Sequence, residues 1–442
     1  MSDAGGDTGP RRTASHSAPS ELDVSVPALI LKAGDYPVPH GMVGAVRTLG
    51  RTGVPVYVLA SPGISAAGAS RYCAGRFTWH TSERDDMSIA AEQLRAIGER
   101  IGARSVLVPL NDEAAVIIAE QAAALSGHFL FPSIETTLPR RLASKAGLRG
   151  LCQQFGVPAP ASAAPCTTAE AAQFAASAVF PLVVKHAGVW DQRNPTNMSL
   201  GSSSSAPRLV HSLDALMSLG DYDGVTAAYV VQEYIPPEHA EDWIVHLYAD
   251  AQANCRVLFT GRKVRSWPPV AGVTAAGISA TNPVLAHAAE QFCKAVGYCG
   301  AADMDWRFDR RDGQYKLLDF NPRVGNNFRL FTTESGTDVV RALHLDLTGR
   351  PCPQEAQADG RQLIVEHIDI PARLSRRSAV GGTRSGYPAT STEYAWLAAD
   401  DPMPFLAMLT RVLSIVKIIR TGIRSTRSSA PRRARRRRAE VS

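Results

Sequence analysis

Short apolar runs alternate with longer amphipathic stretches between residues 24 and 132, and this alternation predicts the fold of the first part of the chain. The apolar runs VPALIL, VPVYVLA and SVLVPL have the length of β-strands, whereas HGMVGAVRTLGRTG, MSIAAEQLRAIGERIG and EAAVIIAEQAAAL have helical periodicity. Strands that alternate with helices form a parallel sheet covered by those helices. We therefore predict a parallel α/β domain, with a cleft formed by loops 32–41 and 109–113 at the carboxyl ends of the strands.

After residue 135 the elements no longer alternate regularly. LPRRLASKAGLRGLCQQFG predicts one helix, FPLVVKHAG a β-branched strand and AAYVVQEYI a second strand. The basic segment GRKVRSWPPVAGVT (261–274) predicts a turn, and NPVLAHAAEQFCKAVGY predicts a helix that packs on a sheet.

Residues 302–323, ADMDWRFDRRDGQYKLLDFNPR, form two alternating apolar runs around an acidic Asp-Gly turn, and this pattern predicts a β-hairpin. Asp305 lies on the first strand. Asp319 and Asn321 lie two residues apart on the second strand, so their side chains share a face. Oxygen ligands of this kind on adjacent strands suit Mg²⁺ that is shared with the phosphates of a nucleotide.

The same pattern also fits a surface hairpin with an acidic turn. An unpaired charge buried on a core strand costs several kcal/mol, so a strand that carries Asp319, Asn321 and Arg323 is explained better by a ligand. The other acidic residues of the segment, Asp309 and Asp312, fall in the turn, and we expect them to be solvated.

The overall charge is basic, +6 at pH 7, but it is concentrated at the C-terminal end. Residues 424–442 contain eight arginines and one glutamate, which leaves the rest of the chain close to neutral. A neutral body gives no support for nucleic-acid binding, and the arginine-rich tail has no interleaved aromatic residues. We therefore expect no nucleic-acid partner.

The 442 residues, 45% of them hydrophobic, can form two or three domains with substantial cores. The seven cysteines show no CxxC pair and no zinc-like spacing, which is typical of free thiols in a reducing cytoplasm. The first residues, MSDAGGDTGPRRTASHSAPSELD, lack the apolar segment of a signal peptide. We therefore expect a cytoplasmic protein with a disordered tail over residues 1–23.

Three of these segments resemble sequence blocks of the ATP-grasp superfamily. The last block of that family is a strand that ends in Glu-x-Asn-Pro-Arg, and LLDFNPR matches it with Asp319 in the position of the glutamate. The family also places one lysine before a helix that ends in a Gly-Val-Pro-x-Pro turn, as Lys145 lies before GVPAP (156–160). A second lysine ends a β-branched strand, as Lys185 does. The resemblance covers residues 26–352.

The resemblance implies an α/β fold with an N-terminal pre-ATP-grasp parallel βα domain (24–135), followed by an ATP-grasp domain with two α+β subdomains (136–352). The first subdomain, 136–230, would hold the lysines and a phosphate-binding flap, and the second, 231–352, would hold the metal ligands. The remaining segments are a C-terminal extension (353–403), an amphipathic helix (404–425) and an arginine-rich tail (426–442).

The resemblance also implies roles for individual residues. Taken singly, each lysine also fits a solvated surface charge, and the flap sequence SLGSSSSA (199–206) also fits a linker. By the resemblance, the metal ligands are Asp305, Asp319 and Asn321, and the catalytic residues are Arg265 and Arg323. ATP would bind Lys145, Lys185, the flap residues Gly201 and Ser202, the hinge residues Glu233, Tyr234 and Ile235, Lys263, and Glu241 or Asp242 at the ribose. Asn326, Asn327 and Arg329 would contact the substrate carboxylate or amine.

The blocks are most similar to those of carboxylate–amine ligases of the D-aspartate ligase type. This implies an ATP- and Mg²⁺-dependent enzyme, with Mn²⁺ as a possible substitute, that joins a small-molecule carboxylate to an amine through an acyl-phosphate. Such chemistry needs neutralisation of the phosphate charge and no enzyme nucleophile. The alternatives are a bicarbonate-activating, carboxylase-like ATP-grasp enzyme and a non-catalytic, membrane-associated nucleotide-binding protein. A homodimer is a further hypothesis.

Residues 404–425, PFLAMLTRVLSIVKIIRTGIRS, place apolar residues at helical spacing. Arg411 and Lys417 interrupt the apolar stretch, at a cost of about 3 kcal/mol each at the centre of a bilayer, so we do not expect the helix to span a membrane. The segment fits either an amphipathic helix packed on the protein or a helix that lies on an anionic membrane. The basic sequence PRRARRRR (431–438) favours the membrane alternative.

Overall fold

The computed structural model describes residues 21–33, 39–60, 63–78, 87–186, 208–219, 229–268, 272–375 and 388–413, and these residues build three sheets. The predicted flap residues Gly201 and Ser202 lie outside the described residues, as do residues 414–425 of the predicted amphipathic helix and the arginine-rich tail.

The first sheet consists of β1 (Ala28–Leu31), β2 (Val56–Ala60), β3 (Cys73–Thr78), β4 (Ser105–Pro109) and β5 (Phe129–Leu130). All five strands are parallel, in the order β3-β2-β1-β4-β5. The helices of this region are α1 (His40–Gly50), α2 (Met87–Ile101), α3 (Asp112–Glu120) and α4 (Ala122–Leu125). The predicted parallel α/β arrangement is confirmed. The sequence did not predict β3, because CAGRFT is mostly small and polar residues without a β-branched run.

The carboxyl ends of β1 and β4 meet at one edge of the first sheet. Nδ2 of Asn111, just after β4, donates to the carbonyl of Ala33 at 2.6 Å, and its Oδ1 accepts from the Ala33 N–H at 3.1 Å. These two bonds fix the loops that follow the strands against each other. The predicted cleft therefore has at least one wall held by hydrogen bonds between distant parts of the chain.

The helix predicted over LPRRLASKAGLRGLCQQFG is in fact two helices, α5 (Leu138–Ala143) and α6 (Lys145–Phe155). Ser144 separates them in an extended conformation, and its side chain accepts from the N–H of Gly147 as an N-cap. A Cβ on Gly147 would lie 2.3 Å from the Arg141 carbonyl oxygen, so the close turn between the helices requires glycine. The break makes Lys145 the first residue of α6.

The second sheet consists of β6 (Ser162–Ala163), β7 (Leu182–His186), β8 (Arg208–Val210) and β9 (Tyr229–Glu233). Its antiparallel order is β6-β9-β7-β8, and β7 pairs with β9 over its whole length. The helices α7 (Thr168–Ser177) and α8 (Leu213–Met217) pack with this sheet around a small apolar core.

The third sheet has the order β14-β13-β10-β11-β12-β15-β16. The predicted hairpin is confirmed as β13 (Gly300–Asp309) paired antiparallel with β14 (Gln314–Asn321). The turn predicted over residues 261–274 is wrong, because most of that segment belongs to two long paired strands. The other strands are β10 (Ala240–Ala249), β11 (Cys255–Trp267), β12 (Val273–Ser279), β15 (Arg361–Ile364) and β16 (Ser391–Tyr394), and the helices are α9 (Pro283–Val296), α10 (Val339–Leu347) and α11 (Glu366–Leu374).

Alternation along β10 separates the two faces of the third sheet. Trp243, Val245 and Leu247 enter one core with α9, whereas Ile244 and Tyr248 enter another core with α1 and α10. The second of these cores also contains residues of the first sheet, so the parallel domain and the third sheet share one hydrophobic interior. The face of β10 that carries Ile244 and His246 is the face on which the candidate site lies.

The C-terminal extension is part of the fold, because β15 and β16 complete the third sheet. Arg47 of α1 is 4% exposed and pairs with Asp401, its Nε 2.9 Å from Oδ2. Residues 403–413 form a helix, termed α12, as far as the structure describes it. Among the described residues, no helix has the length and apolar character needed to cross a membrane.

Candidate active site

Four polar side chains meet on one face of the β13–β14 hairpin. Asp305 lies directly opposite Asp319, and Asp303 lies directly opposite Asn321. Directly opposed residues point to the same side of a sheet, so all four side chains share a face. The sequence predicted three of them. Asp303 was missed, although its position two residues before Asp305 on the same strand is the signal that would have identified it.

Each of the two opposed aspartates has a lysine partner from another element. Lys145 of α6 pairs with Asp319, and Nζ of Lys263 on β11 lies 2.8 Å from Oδ1 of Asp305. The side chains of Asp305 and Asp319 are still 32% and 31% exposed, so both carboxylates remain open to a ligand from the cleft. Lys145, predicted as an ATP-binding residue, therefore lies beside the predicted metal ligands.

The environment shifts the pKa of these two carboxyl groups in opposite directions. Burial raises the pKa of Asp305, an effect that the ammonium of Lys263 only partly offsets. Burial also acts on Asp319, but the charge and hydrogen bond of Lys145 outweigh it and lower the pKa of Asp319. Asp305 and Asp319 occupy equivalent positions in the strand pairing, but their different lysine environments leave their pKa values shifted in opposite directions.

Asn321 completes a set of oxygen donors. Its Nδ2 donates to the carbonyl of Asp303 at 3.0 Å, which leaves the amide oxygen as the atom able to bind a metal. Two carboxylates and an amide oxygen on neighbouring strands match the hard oxygen ligands that Mg²⁺ prefers. The residues present therefore fit a magnesium site at Asp305, Asp319 and Asn321.

Lys185 reaches the same region from the second sheet. Its Nζ donates to Oε1 of Gln232 on β9 at 2.9 Å. Burial, followed by the charge of Lys145, lowers the pKa of Lys185 to about 8, while Asp319 and Asp305 act to raise it. These mutual electrostatic effects indicate that the second sheet faces the hairpin carboxylates. Gln232 was not predicted, since a polar residue on a strand carries no distinctive sequence signal.

Arg323 is held by acidic residues on two sides. Its Nη1 lies 2.7 Å from Oδ2 of Asp303, and its Nε lies 3.4 Å from Oδ1 of Asp112 at the start of α3. Nε2 of His246 lies 3.0 Å from Oδ1 of Asp303. Although burial raises the pKa of Asp303, His246 and Arg323 together lower it well below its usual range. Asp303 is therefore an ionised anchor that orients Arg323.

Gly325 allows this anchor to form. A Cβ at Gly325 would lie 2.4 Å from Cε1 of His246 and 2.6 Å from Oδ2 of Asp303. Atoms cannot approach so closely, so any side chain at this position would displace the Asp303 carboxylate or the imidazole. The glycine thus brings the loop after Arg323 into direct contact with the site.

The predicted hinge residues adjoin the end of β9. The N–H of Glu233 donates to the carbonyl of Ala161 at 2.8 Å, and its carboxylate pairs with Arg311. The carbonyl of Ile235 accepts from Nη1 of Arg307 at 2.9 Å. Tyr234 lies between them and is half-buried.

The two ribose candidates, Asp242 and Glu241, lie on opposite faces of β10. Asp242 lies on the same face of β10 as Ile244 and His246, directly opposite Arg307, whose Nε is 2.7 Å from its Oδ1. Glu241 points to the other face, where it pairs with Arg262 and Arg310. The period of two along β10 thus places the two ribose candidates on opposite faces of the strand.

Lys263 and Arg265 occupy a strand and not the predicted turn. The pairing of β11 with β12 shifts register between them, so they do not follow a simple two-residue repeat. Lys263 contacts Asp305, whereas Nε of Arg265 lies 2.7 Å from Oδ1 of Asp369 on α11. As the structure stands, Arg265 is an ion-pair partner of α11.

Two further expectations are corrected. Asp309 is fully buried and not solvated, since Lys316 and Arg311 both pair with it. Asp312 is exposed, as expected. Arg329 binds Asp338 and Glu393 within the protein, with nitrogen–oxygen distances of 2.6 and 2.9 Å. The guanidinium of Arg329 therefore serves the fold and is not free to bind a substrate carboxylate.

Comparison with known proteins gives one curated relative. No protein-family model matches the chain. A D-aspartate ligase from Enterococcus faecium (strain Aus0004) is 23% identical over 274 residues, which are 56% of this chain and 60% of that enzyme. The chain thus matches about 60% of the length of this relative.

Solved structures share the fold at low sequence identity. The biotin carboxylase domain dimer of Hydrogenobacter thermophilus 2-oxoglutarate carboxylase, determined with MgADP, ADP and bicarbonate, is 13% identical, with a TM-score of 0.53 over 74% of this chain and 71% of that one. An L-amino acid ligase from Bacillus licheniformis is 18% identical, with a TM-score of 0.52 over 73% of this chain and 74% of that one. The chain has the ATP-grasp fold of these structures.

Proposed function

We propose, from this ATP-grasp fold, that the chain is an ATP- and Mg²⁺-dependent ligase that joins a carboxylate to an amine through an acyl-phosphate. The observation that carries the proposal is the opposed pair Asp305 and Asp319, open to the cleft and surrounded by Lys145, Lys185 and Lys263. Phosphoryl transfer from ATP requires this combination of oxygen ligands and mobile positive charge, and it requires no covalent enzyme intermediate.

The side chains have separate tasks in this reaction. Lys145 and Lys185 neutralise phosphate oxygens of the nucleotide, and the hinge at Glu233, Tyr234 and Ile235 receives the adenine. Asp242 accepts hydrogen bonds from the ribose hydroxyls. These assignments place the triphosphate between the second sheet and the hairpin of the third sheet.

Asp305, Asp319 and Asn321 would hold a magnesium ion, which would supply positive charge against the negative charge that develops during phosphoryl transfer. Mn²⁺ prefers similar oxygen ligands and should substitute for Mg²⁺. In the structure, the ammonium groups of Lys145 and Lys263 neutralise the carboxylates of Asp319 and Asp305. With ATP and the metal ion bound, these ammonium groups would be available to neutralise the phosphates.

Arg323 is assigned to the acyl-phosphate. Asp303 holds its Nη1 in place at 2.7 Å, so the guanidinium is oriented before substrate binds. A positioned guanidinium stabilises the oxyanion that forms when the amine attacks the acyl carbon and the phosphate leaves. Arg265, also predicted as catalytic, would have to leave Asp369 to take part.

The test is ADP release from Mg-ATP by the purified chain, with D- and L-amino acids as carboxylates and hydroxylamine as the amine. D-aspartate is the first carboxylate to test, because the curated relative is a D-aspartate ligase. We expect ADP release that needs both co-substrates, together with a hydroxamate that gives a colour with ferric iron. Asp305→Asn should abolish both signals, whereas Asp312→Asn in the exposed turn should retain them.

Bicarbonate serves as the discriminating substrate. ADP release that depends on bicarbonate, with no hydroxamate from any amino acid, would replace the ligase proposal by the bicarbonate-activating alternative. Binding of ATP without ADP release under any condition would support a non-catalytic nucleotide-binding protein.

We further propose that the C-terminal region binds an anionic membrane surface at its periphery. In α12 the side chains of Met403, Leu406, Leu409 and Leu413 are 52%, 49%, 39% and 67% exposed, whereas Met408 is buried. An apolar helix face next to a segment rich in arginine is typical of helices that lie on anionic bilayers.

Vesicle sedimentation tests this proposal with the full chain. We expect binding to phosphatidylcholine vesicles that contain phosphatidylglycerol, weaker binding at 0.5 M KCl, and little binding to pure phosphatidylcholine. Leu406→Asp with Leu409→Asp should weaken binding, and Leu374→Asp on α11, where the leucine is 79% exposed, is the control. Equal binding to both vesicle types would exclude the electrostatic mechanism.

Light scattering on the same protein sample tests the proposed homodimer.

A further inference from the structure

A cluster of uncharged side chains lies at the start of α1. His40, the first residue of α1, is 7% exposed, and its Nε2 lies 3.1 Å from Oδ1 of Asn327. The buried indole of Trp396 donates from Nε1 to Nδ1 of His367 at 3.0 Å. The ring centroid of His40 is 6.4 Å from that of His367 and 6.1 Å from that of Trp396. These four residues are termed the histidine cluster.

Direct contacts connect the histidine cluster to the candidate active site. Gly325 lies against the carboxylate of Asp303, and Asn327 comes two residues later in the chain. Between them, Asn326 packs on α1 so closely that a Cβ on Gly41 would lie 2.7 Å from its Oδ1 and 2.9 Å from its Cα. The loop 325–327 thus has the anchor of Arg323 at one end and the histidine cluster at the other.

The histidine cluster carries no charge at neutral pH. Burial lowers the pKa of His40 to about 4, and burial lowers that of His367 to about 4 as well. Of the arginines of the adjoining loop, Arg329 pairs with Asp338 and Glu393, and Arg323 is held by Asp303 and Asp112 at the end of the loop that faces the hairpin. An anionic group gains no counter-charge in this cluster.

The chemistry of the cluster suits an amine. Aromatic faces attract an ammonium group, and the ring nitrogens and amide oxygens accept its hydrogen bonds. The Trp396 indole donates to Nδ1 of His367, so the proton of the neutral His367 ring lies on Nε2. The lone pairs that remain available to a donor therefore belong to His40 and to the side-chain oxygens of the asparagines. The oxygen Oδ1 of Asn326 is buried and has no hydrogen-bond partner among the described residues. An N–H donor from a ligand would satisfy it.

We propose that the histidine cluster is the subsite that receives the amine co-substrate as a primary ammonium group. The assignment rests on the ligase reaction proposed above and names the place of its second substrate. Two members, His367 and Trp396, come from the C-terminal extension, so that extension contributes to substrate choice. The cluster positions the amine, while the metal site and Arg323 act on the acyl-phosphate.

Equilibrium binding tests the proposal without turnover. n-Butylammonium chloride is titrated into the full chain in the presence of Mg-ADP, and tryptophan fluorescence is recorded against equal concentrations of KCl. We expect a saturable change that disappears in Trp396→Phe. Sodium n-butyrate, of the same chain length and opposite charge, should give no saturable change.

Substitutions that introduce a fixed positive charge locate the subsite. We expect His40→Lys to weaken n-butylammonium binding at least tenfold, and His367→Lys, at a half-buried position, gives a second variant that should fold where the first does not. His287→Lys on the exposed side of α9 is the matched control and should bind as the wild type does. No saturable change in the wild type, unchanged binding in both cluster variants, or tighter binding of butyrate would each overturn the proposal.

Positional isotope exchange separates this proposal from the ligase proposal. With ATP labelled by oxygen-18 at the β,γ-bridge, acyl-phosphate formation scrambles the label and requires only the carboxylate. We expect the wild type and the control His287→Lys to scramble the label when the carboxylate is present and the amine is absent. Loss of scrambling in the wild type would contradict the ligase, whereas loss of scrambling only in the cluster variants would show that the cluster serves the carboxylate and would overturn the amine assignment.

Discussion

Asp305 and Asp319 face each other across neighbouring strands, and each is neutralised by a lysine from a different part of the chain. Lys145 begins α6, which precedes the second sheet. Lys263 lies on β11, two strands away from Asp305 on β13. The two carboxylates therefore join three regions of the fold. Removing either should affect function more than stability, because both side chains are about one-third exposed.

Asp305→Asn and Asp319→Asn should each lower Mg-ATP-dependent ADP release by at least about 100-fold, since a neutral amide cannot compensate the charge of metal and phosphate. Steady-state ADP release at saturating Mg²⁺ measures the effect. Asp312→Asn should remain within about twofold of the wild type, as expected for an exposed turn residue. Wild-type rates in both site variants would refute the metal site.

Nucleotide affinity should depend on pH through Lys185. Its pKa is lowered to about 8, and only the ammonium form attracts phosphate. The Kd for Mg-ATP should therefore increase above pH 8, by up to about tenfold per pH unit. Isothermal titration between pH 7 and 10 measures this dependence. Lys185→Met should bind weakly throughout and show a flat profile, and a steep profile in that variant would assign the effect to another group.

The same lysine should affect stability with the opposite trend. Its folded pKa of about 8 lies below the ordinary value of 10.5, so the unfolded chain binds more protons between these two pH values. The free energy of unfolding should therefore rise by about 1.4 kcal/mol per pH unit in this window because of Lys185. Urea unfolding of wild type and Lys185→Met at pH 7, 8, 9 and 10 isolates this contribution, which the variant should lack.

Gly325→Ala should reduce turnover at least about tenfold, because the new methyl group displaces the Asp303 carboxylate that orients Arg323. The effect should appear in kcat, with the Kd for Mg-ATP nearly unchanged. Gly150→Ala is the matched control, since no atom lies within 4 Å of a Cβ at that helical position. It should retain activity and gain about 0.5–1 kcal/mol of stability. Unchanged kcat in Gly325→Ala would show that the loop adjusts.

Asp309→Asn should destabilise the fold by about 3–5 kcal/mol, because it removes the buried carboxylate that pairs with Lys316 and leaves that lysine with the exposed carboxylate of Asp312. Lys316 is 8% exposed, and its Nζ lies 2.7 Å from Oδ2 of Asp309. Urea denaturation measures the loss. Asp312→Asn removes an exposed partner of the same lysine and should cost less than about 1 kcal/mol. Similar losses in the two variants would contradict the dominant role of Asp309.

The parallel domain and the hairpin were predictable because both depend on local periodicity. The period of two placed Asp319 and Asn321 on one face. The β-bulge that shifts the register between Asp305 and Trp306, and so brings Asp305 opposite Asp319, has no comparable signal in the sequence. The same two-residue period would also have placed Asp303 on the face of Asp305. In contrast, nothing local distinguishes Asp309 from Asp312, and only the three-dimensional approach of Lys316 decides that one is buried and the other exposed.

Residues that act through distant partners were beyond the sequence pattern. Arg329 has the chemistry of a carboxylate ligand, but Glu393 lies 64 residues away and occupies it. The histidine cluster combines His40 with three residues that follow it by about 290 to 360 positions, a separation that no spacing rule connects. The break between α5 and α6 was also missed, since Ser144 reads equally well as a helix residue or as a cap.

The ion pair between Arg47 and Asp401 has a consequence for the order in which the protein can be made. Arg47 is synthesised early, yet its guanidinium finds its carboxylate and the carbonyl oxygens of Trp396 and Asp401 only some 350 residues later. A nascent chain on the ribosome must therefore keep the end of α1 hydrated until residue 401 has emerged. The parallel domain reaches its final packing only when β16 and Asp401 have emerged, so its maturation depends on a segment some 350 residues further along the chain.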